Sequence, residues 1–332
     1  MNIIYRNYVE DDIDSIIQFW NANSGWDTDM NREEFNLRFC SSPLGRPILM
    51  LAINNDINEI VGILCFIPLS VTINSRDKKC FKLFGAIFKE SYRSKFGLSS
   101  FLTGKHPLQQ LYSKGIGVAK SENATLMYLL PDPRWGRILH VMPFRIQHFP
   151  LWSYRFSMNE PFLLSASIVV KDIIPEDKEI DILWQQSSKA HICTITKSRE
   201  FYKLKIKTSH GRYKMKGVYC KNQLLGIFTL DNTKYRRQWL ICDLLTINNA
   251  DKLTLTLKAA SNAAYFEYLK QEPDPDQFYK VAILATPTIE KKVMQLGFLK
   301  DDYSFTLAVQ LLDNSFDKST VSPKLWHISA ND

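Results

Sequence analysis

The chain has 332 residues, which is enough for roughly two domains of about 150 residues, each with its own core. Hydrophobic residues make up 45% and charged residues 23% of the sequence, and these values exclude collagen-like, low-complexity and wholly disordered proteins. The 42 Lys and Arg against 34 Asp and Glu give a net charge of +8, which permits an anionic ligand without identifying one.

The first half of the sequence predicts a layered α/β domain, with elements in the order β α α β β β α β α β. Acidic Glu10 to Asp12 favours a helix start, and Pro107 opens a later helix. Gly115 and Gly117 fall inside that later helix, where we expect them to serve packing. The predicted strands are 3–8, 48–53, 60–67, 81–88, 124–130 and one beginning at 143; the predicted helices are 13–20, 32–39, 107–119 and 135–141.

The second half repeats this order in outline, at an offset of roughly 160 residues that is far beyond the period of solenoid repeats. Leu224 to Ile227 follows a short turn as Ile60 to Ile63 does. Trp239 to Leu245 then has the same place in the order of elements as the strand that ends at Phe88, and a helix over 250–270 follows. The pattern predicts a duplicated domain, a connection over 159–178, and a tail over 313–332 that contains Trp326.

The sequence lacks the motifs of several common kinds of functional site. The six histidines show no H-x-x-x-H spacing, so we expect no metal site. There is no G-x-S-x-G elbow, P-loop or G-x-G-x-x-G after a strand. No apolar stretch approaches the roughly 20 residues of a membrane span. Lys234 to Trp239 interleaves basic and aromatic residues, but no RNA-binding motif or recognition helix accompanies it, so we expect no nucleic-acid partner.

The compartment is predicted from the cysteines and the first residues. The 6 cysteines are scattered without a C-x-x-C pair, mostly within apolar runs, which favours buried free thiols. The opening residues lack the basic start and apolar run of a signal peptide. We therefore expect a cytoplasmic protein; its oligomeric state is open.

The strand and helix pattern resembles the acyl-CoA N-acyltransferases of the GNAT superfamily, in the form with two tandem domains. In the first half the resemblance lies in Tyr5 to Ile13, the hairpin with Val61 to Ile63, and Phe84 to Arg93. In the second half it lies in Tyr213 to Leu230 and Gln295 to Phe298. It implies two mixed α/β domains, each a central mixed sheet flanked by helices: 1–158 with an acyl-CoA site, and 159–332 as a degenerate second domain with the tail.

The resemblance implies acetyl-CoA or another acyl-CoA as co-substrate and a primary amine, such as an amino sugar, as a small-molecule acceptor. Backbone groups near Ile87 and Phe88 would bind the pantetheine arm. The pyrophosphate loop would be Arg93, Ser94, Lys95, Phe96 and Gly97, although its first glycine comes one residue late and the second is replaced by Ser99. The second half has no glycine between Asp243 and Lys252, so we expect no CoA there.

Transfer to an amine needs a base for the amine proton and an acid for the leaving thiolate. Glu90, at the end of the fourth strand, is the candidate base, with a solvent-facing strand end as the alternative. The family's usual acid is a tyrosine about five residues before the G-F pair, but Leu139 stands at that position. His140 and Tyr128 are the substitutes, with structural roles as the alternative. Asp132 is a further residue that either contacts the acceptor or ends the strand.

Two other functions stay open at this point. The tandem arrangement and positive charge also suit an aminoacyltransferase that takes its donor from aminoacyl-tRNA. The altered loop and missing tyrosine suit a GNAT-like module that binds a ligand without catalysis.

Overall fold

The structure is a computed structural model. It describes residues 2–25, 29–93, 100–101, 103–131, 135–156, 160–233, 238–270, 279–330 and 332. The chain forms two compact units, and both are mixed α/β as the sequence predicts. The first contains Met1–Ser70, Lys78–Ile146 and Ala308–Lys318, and the second contains Val71–Asp77, Gln147–Leu307 and Ser319–Asp332. Each unit therefore includes segments from both sides of the predicted boundary after residue 158.

The first unit is a mixed sheet between helices. Its strands follow the order β1-β2-β3-β4-β5, and residues 308–311 pair antiparallel with β5. Only β4 and β5 form a parallel pair among the pairings described for this unit. The strands are β1 (Ile3–Asn7), β2 (Ile48–Asn54), β3 (Glu59–Ile73), β4 (Arg76–Phe88) and β5 (Leu126–Leu129). The helices are α1 (Ile13–Asn23), α2 (Arg32–Phe35, continued by a wider turn over Asn36–Cys40), α3 (Glu90–Arg93), α4 (Pro107–Ser121) and α5 (Gly136–Leu139).

Helices cover both faces of this sheet, as the pattern of β2 requires. All of β2 is buried, and its successive side chains point to opposite faces. Leu49 and Leu51 pack in a core with the apolar face of α1, whereas Met50 and Ala52 pack in a second core with α4. The continuous apolar run of β2 is thus explained by burial on two sides.

Gly115 has the packing role that the sequence predicts. It is buried in α4, and a Cβ added there would lie 2.2 Å from ring carbons of Phe66. The absence of a side chain lets this helix lie close to β3.

The second unit has the same kind of sheet, in the order β6-β12-β11-β10-β9-β7. Here β11 and β12 are parallel, whereas β12 with β6, β10 with β11, β9 with β10, and β7 with β9 are antiparallel. The strands are β6 (Arg145–Arg155), β7 (Ile168–Asp172), β8 (Cys193–Ile195), β9 (Tyr213–Cys220), β10 (Gln223–Thr233), β11 (Gln238–Thr246), β12 (Lys280–Leu284), β13 (Leu299–Leu311) and β14 (Trp326–His327). The helices are α6 (Glu179–Ser188), α7 (Arg199–Thr208), α8 (Ala250–Leu269) and α9 (Pro287–Gln295).

One segment differs from the sequence-based expectation. The predicted connection over 159–178 contains β7, which forms a full antiparallel ladder with β9. The predicted tail is ordered in part within the second unit, since β14 pairs in parallel with β8. Trp326 of that tail is 1% exposed.

Candidate functional site

The first unit contains a fork where β4 and β5 separate. The two strands pair over Cys80–Lys82 and Leu126–Tyr128. Beyond these pairs β4 runs on to Phe88, whereas β5 ends at Leu129. A cavity of about 290 Å³, the wedge cavity, lies at the fork and is lined on the strand sides by residues 83–87 and 129–131. Backbone groups that leave a ladder need other hydrogen-bonding partners, so the fork suits an extended ligand with amide groups.

Gly85 shapes one wall of the wedge cavity. Its φ is +62°, a conformation that favours glycine, and an added Cβ would lie 2.6 Å from the ring of Trp20. Trp20 comes from α1, stacks on Phe84 with ring centroids 6.0 Å apart, and lines the same cavity. The wall therefore depends on a residue without a side chain at position 85.

A second cavity of about 510 Å³, the helix cavity, lies between the end of β4 and the start of α4. It shares the lining residues Ser24, Ala86, Ile87 and Trp135 with the wedge cavity. The two cavities are therefore neighbours along the last residues of β4.

His106 forms the rim of the helix cavity and caps α4. Its Nδ1 accepts a hydrogen bond of 3.2 Å from the backbone N–H of Leu108, and its ring stacks on Phe101 at 3.7 Å. Burial lowers the pKa of His106 to about 4. The imidazole is therefore neutral near pH 7 and carries its proton on Nε2, because Nδ1 is an acceptor.

The predicted donor-binding residues lie partly in these cavities. Ile87 lines both cavities, and Phe88 and Arg93 line the helix cavity. Tyr92, next to Arg93, is held by a 2.8 Å hydrogen bond from Asn54 to its hydroxyl and also lines the helix cavity. The predicted loop residues Ser94, Lys95, Phe96 and Gly97 lie outside the described residues, as does Asp132.

The predicted acid-base residues are dispersed. Glu90 is exposed at the first position of α3, and His140 is exposed directly after α5. Tyr128 is fully buried on β5, at its last parallel pair with β4. The described lining of the two cavities includes none of the three, so their catalytic roles stay predictions.

Sequence reasoning missed His106, Trp20 and Trp135 as cavity residues. The signal for His106 was present, because it directly precedes Pro107 at the predicted helix start and so stands at the capping position. The two tryptophans belong to apolar helix patterns that read as ordinary core.

The second unit has a fork of the same kind but a different helix start. β11 and β12 pair over Gln238–Ile241 and Lys280–Ile283 and then separate. At the start of α8, Oδ1 of Asn249 accepts hydrogen bonds from the backbone N–H groups of Asp251 and Lys252. A side chain thus caps two N–H groups at this helix start, whereas His106 caps one, that of Leu108, at the start of α4.

Three further findings concern metal ligands, membrane-length helices and the cysteines. Among the described residues, no group of three or more His, Cys, Asp or Glu side chains is placed to hold a metal ion. In the same part of the chain, no helix is both long and apolar enough to cross a membrane. All six cysteines are free thiols, and four of them are buried.

No protein-family model and no curated protein matches the chain. Solved structures do match it. A GCN5-related N-acetyltransferase from Anabaena variabilis has 10% identity and a TM-score of 0.66 over 94% of this chain and 73% of its own. Saccharomyces cerevisiae N-myristoyltransferase with bound myristoyl-CoA has 9% identity and a TM-score of 0.56, and the match covers 93% of this chain and 79% of that protein.

A tandem GNAT protein from the clavulanic acid biosynthesis pathway has 12% identity and a TM-score of 0.54, over 95% of this chain and all of its own. At these identities the matches establish the fold. They confirm the predicted resemblance at that level: the chain has the fold of the GNAT acyltransferases in its tandem form.

Proposed function

We propose that the protein is an acyl-CoA-dependent N-acyltransferase whose first unit binds the acyl donor. The observation that carries this proposal is the pair of adjacent cavities at the β4–β5 fork. There the wedge cavity and the helix cavity share Ala86 and Ile87 and reach the N-terminal end of α4. An acyl-CoA has a matching form, with a thioester, an amide-rich arm and a charged phosphate end.

In this proposal the donor lies with its pantetheine arm along the end of β4. Backbone groups near Ile87 and Phe88 would bind the arm and polarise the thioester carbonyl. The phosphates would lie in the helix cavity, where Arg93 supplies positive charge. His106 lies on the rim of the same cavity, at the start of α4.

The reaction is attack of a neutral amine nitrogen on the thioester carbonyl. A C–N bond forms, the C–S bond breaks, the base takes the amine proton, and the CoA thiolate receives a proton. Glu90 as base and His140 or Tyr128 as acid remain the candidates from sequence. Positioning of the two reactants supplies much of the rate even with a weak base.

The acceptor in this proposal is a small primary amine, with an amino sugar as the first class to test. A further polar cavity of about 410 Å³ lies beside the donor site and shares Asn23 with the helix cavity. Its charged lining consists of two ion pairs, Arg6 with Asp12 and Lys89 with Glu59. Such a lining favours a polar acceptor. We place the activity in the cytoplasm, whose reducing conditions suit the free thiols.

Thermal unfolding with acetyl-CoA, longer acyl-CoAs and CoA tests the donor site. A ligand at 100 times its dissociation constant stabilises by about 2.7 kcal/mol, which raises the midpoint by about 5 to 10 °C for a unit of this size. Arg93→Ala should reduce that shift. Arg32→Ala is the matched control, because Arg32 is exposed and pairs with Asp14 away from the cavities.

Release of free CoA thiol in the presence of amino sugars, amino acids and peptide amines then tests catalysis, with Glu90→Gln to test the base. Absence of a shift with every CoA species would refute the proposal. Binding of aminoacyl-tRNA with a steep salt dependence would instead favour the tRNA-dependent function. Binding of acyl-CoA without turnover of any amine would favour a module that only binds its ligand.

A further inference from the structure

The forks of the two units can be compared, because in each unit the parallel pairing ends and the two strands then separate. The last parallel pair is Lys82 with Tyr128 in the first unit and Ile241 with Ile283 in the second. The residues that line each fork lie just beyond these pairs.

Phe84, Gly85 and Pro131 line the wedge cavity of the first fork. In the second fork, Asp243 and Leu244 in β11 and Thr286 after β12 lie just beyond the last parallel pair. All three are contacted by His327 or Ser329, which belong to a segment of the same chain formed by residues 326–330 and Asp332.

His327 contacts both arms of the second fork. Its Nδ1 lies 3.3 Å from Oγ1 of Thr286, just beyond β12, and it hydrogen-bonds to the backbone of Leu244 in β11. Its ring stacks on His191 with centroids 4.0 Å apart and planes 7° apart. Burial lowers the pKa of His327, so the imidazole in the fork is neutral.

Two further residues of the segment enter a buried charge cluster. Nζ of Lys197 donates to Oδ1 of Asp243 at 2.5 Å and to Oγ of Ser329 at 2.6 Å, and Oδ1 of Asp332 lies 3.5 Å away. Ser329 in turn donates to Asp243 at 3.1 Å. Lys197, Asp243 and Asp332 are each at most 3% exposed, so the polar atoms of the segment satisfy groups that water does not reach.

We propose that residues 326–330 and 332 are a built-in peptide ligand of the second fork, whereas the first fork leaves its cavities open. Backbone pairing of Trp326 and His327 with β8 holds the segment as an added strand. The cavity left beside His327 is about 190 Å³, smaller than either cavity of the first fork. The second unit then binds its own chain and takes no acyl-CoA.

This inference does not depend on whether the first fork binds acyl-CoA. Its test is hydrogen–deuterium exchange of the full chain, followed by mass spectrometry of fragments. The backbone amides of 326–329 should exchange slowly in the wild-type protein. In the double variant His327→Ala, Ser329→Ala, exchange should be at least tenfold faster both in 326–329 and in 242–246.

Lys324→Ala is the matched control, since Lys324 lies just before the segment and is exposed. It should leave both fragments unchanged. If the double variant does not fold, Ser329→Ala alone provides the same two readouts. Unprotected amides in 326–329 of the wild-type protein would overturn the proposal. So would a variant whose 326–329 amides lose protection while exchange in 242–246 stays as in wild type.

Discussion

Replacing Gly115 and Gly117 by alanine, one at a time, should change the stability of the first unit in opposite directions. Both glycines lie in α4, two positions apart. An added Cβ at Gly115 would lie 2.2 Å from ring carbons of Phe66, whereas one at Gly117 would meet no heavy atom within 4 Å. The pair separates the effect of close packing from the effect of helix propensity.

The magnitudes follow from two opposing contributions. Exchanging glycine for alanine inside a helix stabilises by about 1 kcal/mol, because alanine loses less backbone freedom on folding. Overpacking a core costs about 1 to 3 kcal/mol. Phe66 is fully buried and cannot move into solvent, so Gly115→Ala takes the upper end of that range. The expected result is a net loss of about 2 kcal/mol for Gly115→Ala and a gain of up to about 1 kcal/mol for Gly117→Ala.

Urea unfolding followed by circular dichroism measures both free energies. The midpoint of Gly115→Ala should fall and that of Gly117→Ala should rise, with unchanged slopes. A Gly115→Ala protein at least as stable as wild type would show that α4 does not lie against Phe66. Equal destabilisation by both substitutions would show that α4 is not a regular helix at these positions.

Two further predictions concern the second unit. Lys197→Met leaves Asp243 and Asp332 buried without their cation and should lower the free energy of unfolding in urea by about 3 to 5 kcal/mol. The control Lys203→Met removes an exposed ion pair and should lower it by under about 0.5 kcal/mol. Equal losses for the two variants would contradict the buried cluster. Burial and the charge of Lys197 lower the pKa of His191 from its ordinary 6.5 to about 4. Between these two values the unfolded chain binds a proton that the folded chain does not, so the free energy of unfolding falls as the pH drops from 6.5 to 4. His191→Gln should reduce that fall in unfolding midpoints, and an unchanged pH profile would contradict the assignment.

The regular elements of both units were predictable, because burial leaves a periodic mark on the sequence. The helix predicted at Pro107 spans Pro107–Ser121, and the strand predicted from Trp239 spans Gln238–Thr246. The fork was predictable only through the resemblance to a known fold. No local sequence pattern predicts that β4 and β5 separate after Lys82, since the point of separation depends on which residues pair across the sheet.

The segment contacts of the second fork were not predictable from the sequence. Lys197 and Asp243 lie 46 positions apart and Ser329 lies another 86 away, and each reads locally as an ordinary polar residue. Charged residues are expected at the surface, so a buried cluster of them emerges only when the fold brings the partners together.

The residues that line the two forks explain why the forks differ in what they can hold. In the first fork Phe84 supplies an aromatic ring and Gly85 has no side chain, so the fork has room and its lining carries no charge. In the second fork Asp243 supplies a buried carboxylate and Leu244 a larger side chain. A buried carboxylate repels an anionic ligand such as CoA and needs hydrogen-bond donors, which Lys197 and Ser329 provide. The carboxylate and the larger side chain therefore act together: they leave less space and favour a polar segment of the protein itself.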